Sequence, residues 1–230
     1  FALWTREAVQ MLILRRWGIE LSVTTVGRYL RRWGLSPQKP LRRAFEQDPV
    51  AVQRWLSSEY PTIARRAKAE GAEIWWGDEM GLRSDHQTGT SWGRIGVTPV
   101  IPGTGQRFGC NMISALTNRG HLAFMVFEGT CTVTVFLRFV RRLARQAQRK
   151  VFLIVDRLRV HRAKRVEAWV EAHADEIAIF YLPAYSPQLN PDEILNQDVK
   201  SNAVGRRRAA TRSELKANLR GYLRSTQRQP

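Results

Sequence analysis

With 230 residues, 43% of them hydrophobic and 10% aromatic, the chain can bury the core of one large domain and a small one, which excludes a disordered basic tail. No apolar run approaches the ~18 residues of a spanning helix, FALWTREAVQ lacks the layout of a signal peptide, and Cys110 and Cys131 lie outside any CxxC pair, so a membrane protein, a disulfide scaffold and a structural zinc site are not expected. The net charge of +17 sits mainly on the flanks, with an excess of +7 over residues 1–72, +3 over 73–200 and +7 over 201–230. That distribution predicts salt-sensitive binding to a polyanion, although a solubilising basic surface has the same composition.

The chain begins at Phe1 rather than Met, so a preceding segment is expected. From Trp4 to Trp17 apolar residues at Leu3, Val9, Leu12 and Ile13 give roughly helical spacing, with Gly18 as the stop. Ser22 can cap a second helix, VTTVGRYLRRW, with an apolar stripe of Val23, Val26, Leu30 and Trp33 and with Thr24, Thr25, Arg28, Arg31 and Arg32 on other faces; Gly34 closes it. A short helix pair with a basic second member is what a helix-turn-helix needs to enter a major groove past phosphates. A helical hairpin with solvated arginines fits these residues equally well.

Residues 35–49, SPQKPLRRAFEQDP within them, carry three prolines and a basic cluster and read as a linker. Residues 50–70 predict one amphipathic helix, with Val52, Trp55, Leu56 and Ile63 toward a core and Pro61 bending it. From residue 73 the pattern becomes extended. IWWGD is a strand ending at Asp78; Gly89 to Gly109 is turn-rich with short strands; CNMISALT and HLAFMVF form a hairpin around Asn118-Arg119-Gly120. A helix over 132–148 precedes the buried strand KVFLIVD, which ends at Asp156; a helix over 162–174, the strand IAIFYLP and the helix DEILNQDVK follow. The expected fold class is α/β, a mixed sheet flanked by helices.

Asp78 and Asp156 each end an apolar strand, and Glu193 opens a helix after a third. Residues beyond the strand ends of an open sheet line one crevice, so these remote acids can converge and offer hard oxygen ligands to divalent cations. Singly, each reads more simply as a turn-former or helix cap, and Glu79, Asp192 and Asp198 compete for the same roles.

The surroundings of the three acids are WWGDEMGLRSD, FLIVDRLRVHRAK and YLPAYSPQLNPDEILNQDVK. Together they resemble the transposases of the IS630 family within the IS630/Tc1/mariner superfamily, whose blocks read DE-G, D-N-x-x-x-H-x-x-K and Y-S-P-x-L-N-P-x-E. VTTVGRYLRRWGLSPQKP is similar to the winged or helix-turn-helix segment that precedes the catalytic domain, so the resemblance covers nearly the whole chain. It implies an RNase H-like domain over 73–204, preceded by a helix-turn-helix module at 1–36 and a linker and helix at 37–72, and followed by a basic helix or tail at 205–230. It further implies Asp78, Asp156 and Glu193 as catalytic ligands of two Mg2+ or Mn2+ ions, with Tyr185, Ser186, Pro187, Asn190 and Pro191 shaping the loop that presents Glu193.

The activity so implied is cleavage of transposon ends and strand transfer into target DNA by a homodimer acting on double-stranded DNA in the cytoplasm at the nucleoid. Thr24, Thr25, Arg28, Arg31 and Arg32, with Lys39, Arg42 and Arg43 of the linker, are the expected DNA contacts; Trp92 and the GRRRAATR run at 205–212 are further candidates. His161 occupies the family's histidine position and is expected to pack or hydrogen-bond. Two departures stand out: Arg157 where many relatives have Asn, and Asn196 where many have Trp. Arg157 beside Asp156 motivates an alternative, a catalytically inactive remnant that only binds DNA.

Overall fold

The structure, a computed structural model, describes residues 3–38, 44–85, 92, 94–100, 105–204 and 209–229. They fall into two compact units, Phe1–Arg43 and Ala44–Pro230. Lys39, Arg42, Arg43 and the run 205–208 lie outside the described residues.

In the first unit, helix α1 (Arg6–Trp17) starts at Thr5, whose hydroxyl accepts from the Ala8 N–H, and ends at Gly18, which takes the left-handed φ of 67° that favours glycine. Helix α2 (Val23–Arg32) starts at Ser22, whose hydroxyl accepts from the Thr25 N–H. Val26 is buried and Val23 and Leu30 are half-buried, as the stripe predicts. Trp33 is not: it lies past the last helical turn, 66% exposed, and stacks on Tyr29 at 5.8 Å. Leu3 and Leu12 are likewise exposed, while Val9 and Ile13 are half-buried.

The second unit opens with helix α3 (Pro49–Arg54), a wide π turn (Trp55–Glu59) and helix α4 (Tyr60–Ala69). Pro61 has no N–H to continue the ladder, and the N–H of Tyr60 just before it reaches back five residues to the Trp55 carbonyl. The expected bend is therefore a π turn ahead of the proline. Trp55 and Ile63 are buried; Leu56 is 50% exposed, because the wider turn rotates it off the core face.

Five strands form one sheet: β1 (Glu73–Arg83), β2 (Gly109–Thr117), β3 (Leu122–Phe127), β4 (Val151–Val155) and β5 (Ile177–Tyr181), in the order β3-β2-β1-β4-β5. β1, β2 and β3 pair antiparallel, while β4 and β5 run parallel to β1. The hairpin turn between β2 and β3 needs Gly120 at φ 86°. The residues of β4 are all buried, as expected of a central strand covered on both faces.

Helices α5 (Val133–Gln146) and α6 (Lys164–Glu171) cover one face, burying Phe136, Phe139, Val140, Leu143 and Val166 against Trp75, Leu153 and Val155. The other face carries two clusters. One joins Trp55, Ile63 and Ala67 to Trp76, Phe152 and Ile154. The second joins Met80, Leu82 and Met112 to helix α7 (Asp192–Asp198), the π turn Val199–Val204 and helix α8 (Arg212–Gln227).

Two expectations change. β1 does not end at Asp78 but runs on to Arg83, because β2 continues to pair with it. Among the described residues no strand lies between 89 and 108. Of the helix or tail expected over 205–230, a helix forms at 212–227 and buries Leu215, Leu219 and Leu223 in the core, and α3 and α4 pack on the sheet.

Candidate active site

Each β1 residue from Glu73 to Trp76 pairs with the β4 residue 78 positions later, and the same offset carries Asp78 onto Asp156. The two aspartates are thus neighbours because of strand register. β1 alternates faces, so Asp78 shares a face with Trp76 and Met80 and looks toward α7, whereas Glu79 looks toward the α5 side. Gly77 lets the strands close up here: a Cβ would sit 3.2 Å from both Leu153 Cδ1 and Val155 Cγ1.

Asp78 is largely buried. Its Oδ2 accepts from Asn196 Nδ2 at 2.6 Å, and its carboxyl is pushed up to about 7, first by burial and then by the negative charges of Glu193, Glu79 and Asp156. Asn196, which stands where relatives have Trp, therefore supports the first aspartate; its own Oδ1 is buried and unpartnered.

Asp156 follows the last residue of β4. Burial works against its charge, but hydrogen bonds from His161 and from the Leu158 N–H outweigh it and hold the carboxyl below its ordinary range. His161 is 1% exposed; Nδ1 lies 2.9 Å from Asp156 Oδ1 and Nε2 lies 3.2 Å from Glu79 Oε2, an ion-pair distance without hydrogen-bond alignment. Burial opposes protonation of the ring, yet the two carboxylates raise it to about 9. Among the described residues, Glu79, Asp156 and His161 form the group whose donor atoms all lie within 4.8 Å of one another. With a carboxylate on either side of its ring, His161 braces Asp156 from the α5 side.

Glu193 is in the first turn of α7, half-buried, and its N–H donates to the Asn190 carbonyl. The loop before it is tied down at several points. Asn190 Nδ2 donates to the Gly77 carbonyl at 3.0 Å, while Asn190 Oδ1 accepts from the Asp192 N–H at 3.1 Å, so one buried amide links β1 to the start of α7. Tyr185 takes a left-handed φ of 54°, its carbonyl accepts from Gln47 Nε2, and Ser186 is buried beside it. Pro187 opens a single 3-10 turn and Pro191 precedes the first residue of α7. Gln47 is a contributor that the sequence pattern did not reveal, since it meets the loop from 138 positions away.

The competing acids are placed differently. Asp192 is fully buried, hydrogen-bonded to Ser114 Oγ at 2.7 Å, and held well above the usual carboxylate range, first by burial and further by Asp78 and Glu193. Asp198 accepts from Asn202 and Tyr222 in the packing of α8. Glu193 is thus half-buried where Asp192 is buried, and Asp198, also half-buried, is engaged in helix packing.

Arg157 donates from Nε to the Leu182 carbonyl at 3.0 Å, at the end of β5. Among the described residues it makes no ion pair with Asp156, so its side chain does not quench the site. Arg157→Asn is accordingly expected to change metal affinity less than threefold, measured by Mn2+ calorimetry. Asn190→Ala leaves the Gly77 carbonyl unpaired in the interior and should cost about 1–3 kcal/mol of stability, read from urea unfolding.

In the first unit, Thr24, Arg28, Arg31 and Arg32 are exposed on α2 and Thr25 is half-buried at its start. Trp92 is fully exposed. No helix among the described residues is long and apolar enough to cross a membrane.

Residues 73–216 match the family model described as DDE superfamily endonuclease, and residues 1–59 match that described as winged helix-turn helix. Among solved structures, the chain is similar to the Mos1 strand transfer complex, at 16% identity over 99% of this chain and 69% of that chain, with a TM-score of 0.67. It is similar to the Mos1 mariner paired end complex with Mn at 16% identity, over 99% and 70%, with a TM-score of 0.68. The catalytic domain of Mos1 mariner transposase is matched over 83% of this chain and 90% of that chain at 16% identity and a TM-score of 0.53. No curated protein matches the chain. The fold is RNase H-like, a mixed five-stranded sheet flanked by helices and preceded by a helical helix-turn-helix module.

Proposed function

We propose, from the premise that this chain belongs to the DDE superfamily of endonucleases as a DDE-type transposase, that it cleaves duplex DNA at the ends of its own mobile element and joins them to target DNA. Asp78, Asp156 and Glu193 are the ligands in this reading, for two Mg2+ or Mn2+ ions. The carrying observation is the crowding of Glu193, Glu79 and Asp156 on Asp78, whose carboxyl is raised to about 7 by burial first and by those three charges next. A site built of carboxylate oxygens suits a hard divalent cation, and the Oδ1 of Asn196, whose Nδ2 bonds Asp78, is buried and unpartnered. Among the described residues, the three acids do not form a group whose donor atoms all lie within 4.8 Å of one another; Glu79, Asp156 and His161 do.

When bound, such ions activate a water or a 3′-hydroxyl and stabilise the leaving oxygen of an in-line displacement at phosphorus. The chain's own residues supply position. His161 fixes the Asp156 carboxylate, Asn196 orients that of Asp78, and Asn190 sets the height of Glu193 against β1. Asp192, its carboxyl pushed well above the ordinary range by burial first and then by Asp78 and Glu193, is held by Ser114. Arg28, Arg31, Arg32, Thr24 and Thr25, with Lys39, Arg42 and Arg43, contact the terminal inverted repeats, and two copies pair two ends. The binding-only alternative rested on Arg157, whose guanidinium is engaged with Leu182.

The test is to incubate the full chain with a linear duplex carrying the element's ends, with Mg2+ and with EDTA. Metal-dependent nicks at the element boundary are expected; no cleavage with either Mg2+ or Mn2+, or cleavage undiminished by EDTA, rejects the reading.

A further inference from the structure

The outer face of α5 has no part in the site just described, and its charges are of one sign. A groove of about 670 Å³ is lined there by Arg138, Arg141, Arg142 and Arg145 of α5 and by Arg165 of α6, with only Thr134, Leu137 and Gln146 beside them. The four α5 arginines fall at i, i+3, i+4 and i+7, a single helical stripe opposite the buried Phe136, Phe139, Val140 and Leu143. α5 contains no acidic residue. Some exposed bases of the second unit are matched, Arg66 with Glu70, Arg83 with Asp85, and Arg212 and Lys216 with Glu128. Among the described residues, none of the five groove arginines has a carboxylate within 4.0 Å. Arg141 is braced instead over the Trp169 ring, 5.7 Å from its centroid.

Five unpaired guanidiniums facing one groove repel one another, and that cost is offset when a polyanion occupies it. The groove also has a direction. Gly129, Thr130 and Cys131, just before α5, line a cleft with Glu79, and the Cys131 thiol is pushed up to about 11, by burial first and then by Glu79 and Asp156. At 1.5 Å per residue, Arg145 lies about 20 Å along the helix from Cys131, roughly six base-pair steps of 3.4 Å.

We propose that the α5–α6 arginine groove is a second duplex-DNA surface, holding the phosphate backbone that runs away from the acidic site on the α5 side. It is independent of base sequence, since guanidiniums on phosphates position a duplex without reading it. It rests on the reading above only in taking the polyanion to be duplex DNA.

The experiment measures binding of the full chain to a 30-bp duplex of arbitrary sequence, a length of about 30 base pairs being ample for six steps, by fluorescence anisotropy in EDTA across a salt series. For Arg138→Gln/Arg141→Gln/Arg142→Gln/Arg145→Gln, the slope of log K against log[salt] should fall in magnitude by about 3–4, near 0.9 per lost phosphate contact. The corresponding four-Lys variant should keep most of the slope. An unchanged slope in the Gln variant overturns the proposal, and so does an equal loss in the Lys variant, which would mark a packing role. Should the fourfold Gln variant melt early, Arg138→Gln and Arg145→Gln singly should each lose about 0.9, and two unaltered slopes overturn it. Because the assay excludes divalent ions, failed cleavage with normal groove binding rejects only the catalytic reading, and a lost groove with intact nicking rejects only this one.

Discussion

Asp156→Asn is expected to reduce metal-dependent nicking by at least about 10²–10³-fold while leaving DNA affinity within twofold. Asparagine keeps the shape of the side chain and can still accept from the Leu158 N–H, so the end of β4 should hold its conformation. What disappears is the negative charge that hydrogen bonds from His161 and Leu158 maintain against burial. His161 then faces only Glu79, and its proton is held less tightly. Single-turnover nicking beside an equilibrium binding curve separates the two effects. Nicking within tenfold of the parent would remove Asp156 from the ligand set; a parallel loss of DNA binding would mean the substitution had damaged the fold.

Acidification should weaken the metal steeply. Asp78 holds a proton up to about pH 7, and a ligand carboxylate must lose it, so apparent Mn2+ affinity should drop about tenfold per pH unit below 7 and level off above it. The same shift governs the stability of the metal-free chain. A carboxyl that keeps its proton to about 7 when folded and releases it near 3.8 when unfolded favours the native state fully below about pH 4, and that contribution fades as the pH rises through 7. His161 acts in the same direction at higher pH, its contribution present below 6.5 and lost toward 9. The difference in melting temperature between the parent and Asp78→Asn, followed from pH 4 to 8 in EDTA, should grow in favour of the variant as pH rises. A difference that stays flat would mean Asp78 is not electrostatically crowded.

Much of the sheet can be read from the residues because its strands are short apolar runs bounded by charge or turns: KVFLIVD and IAIFYLP match β4 and β5, and the glycine at 120 marks the hairpin. Asp78 was harder to place. Glu79, Met80, Gly81 and Leu82 look like the start of a loop until β2 pairs with them, and that partner lies 28 to 34 positions away. The same holds for the site's supports. Asn190 and Ser186 stand out in the YSPQLNP block, but Gln47 and Ser114 carry no local sign of reaching Tyr185 and Asp192. Leu56 and Trp33 failed for a simpler reason, since periodicity assumes an unbroken α-helix and each sits where the helix widens or ends. The arginines of α5 stand at helical spacing in the sequence, and their convergence with Arg165 of α6 on one groove appears only in three dimensions.

The ladder between β1 and β4 also decides which parts of the chain are free to vary. Asp78 and Asp156 are brought level by pairing at Glu73 through Trp76, so the segment linking them acts as slack rather than as a ruler. Insertions or deletions around residues 92–100 can change the count between the two acids without altering their alignment. A single residue inserted between Trp76 and Asp78 would instead turn that carboxylate to the opposite side of the sheet.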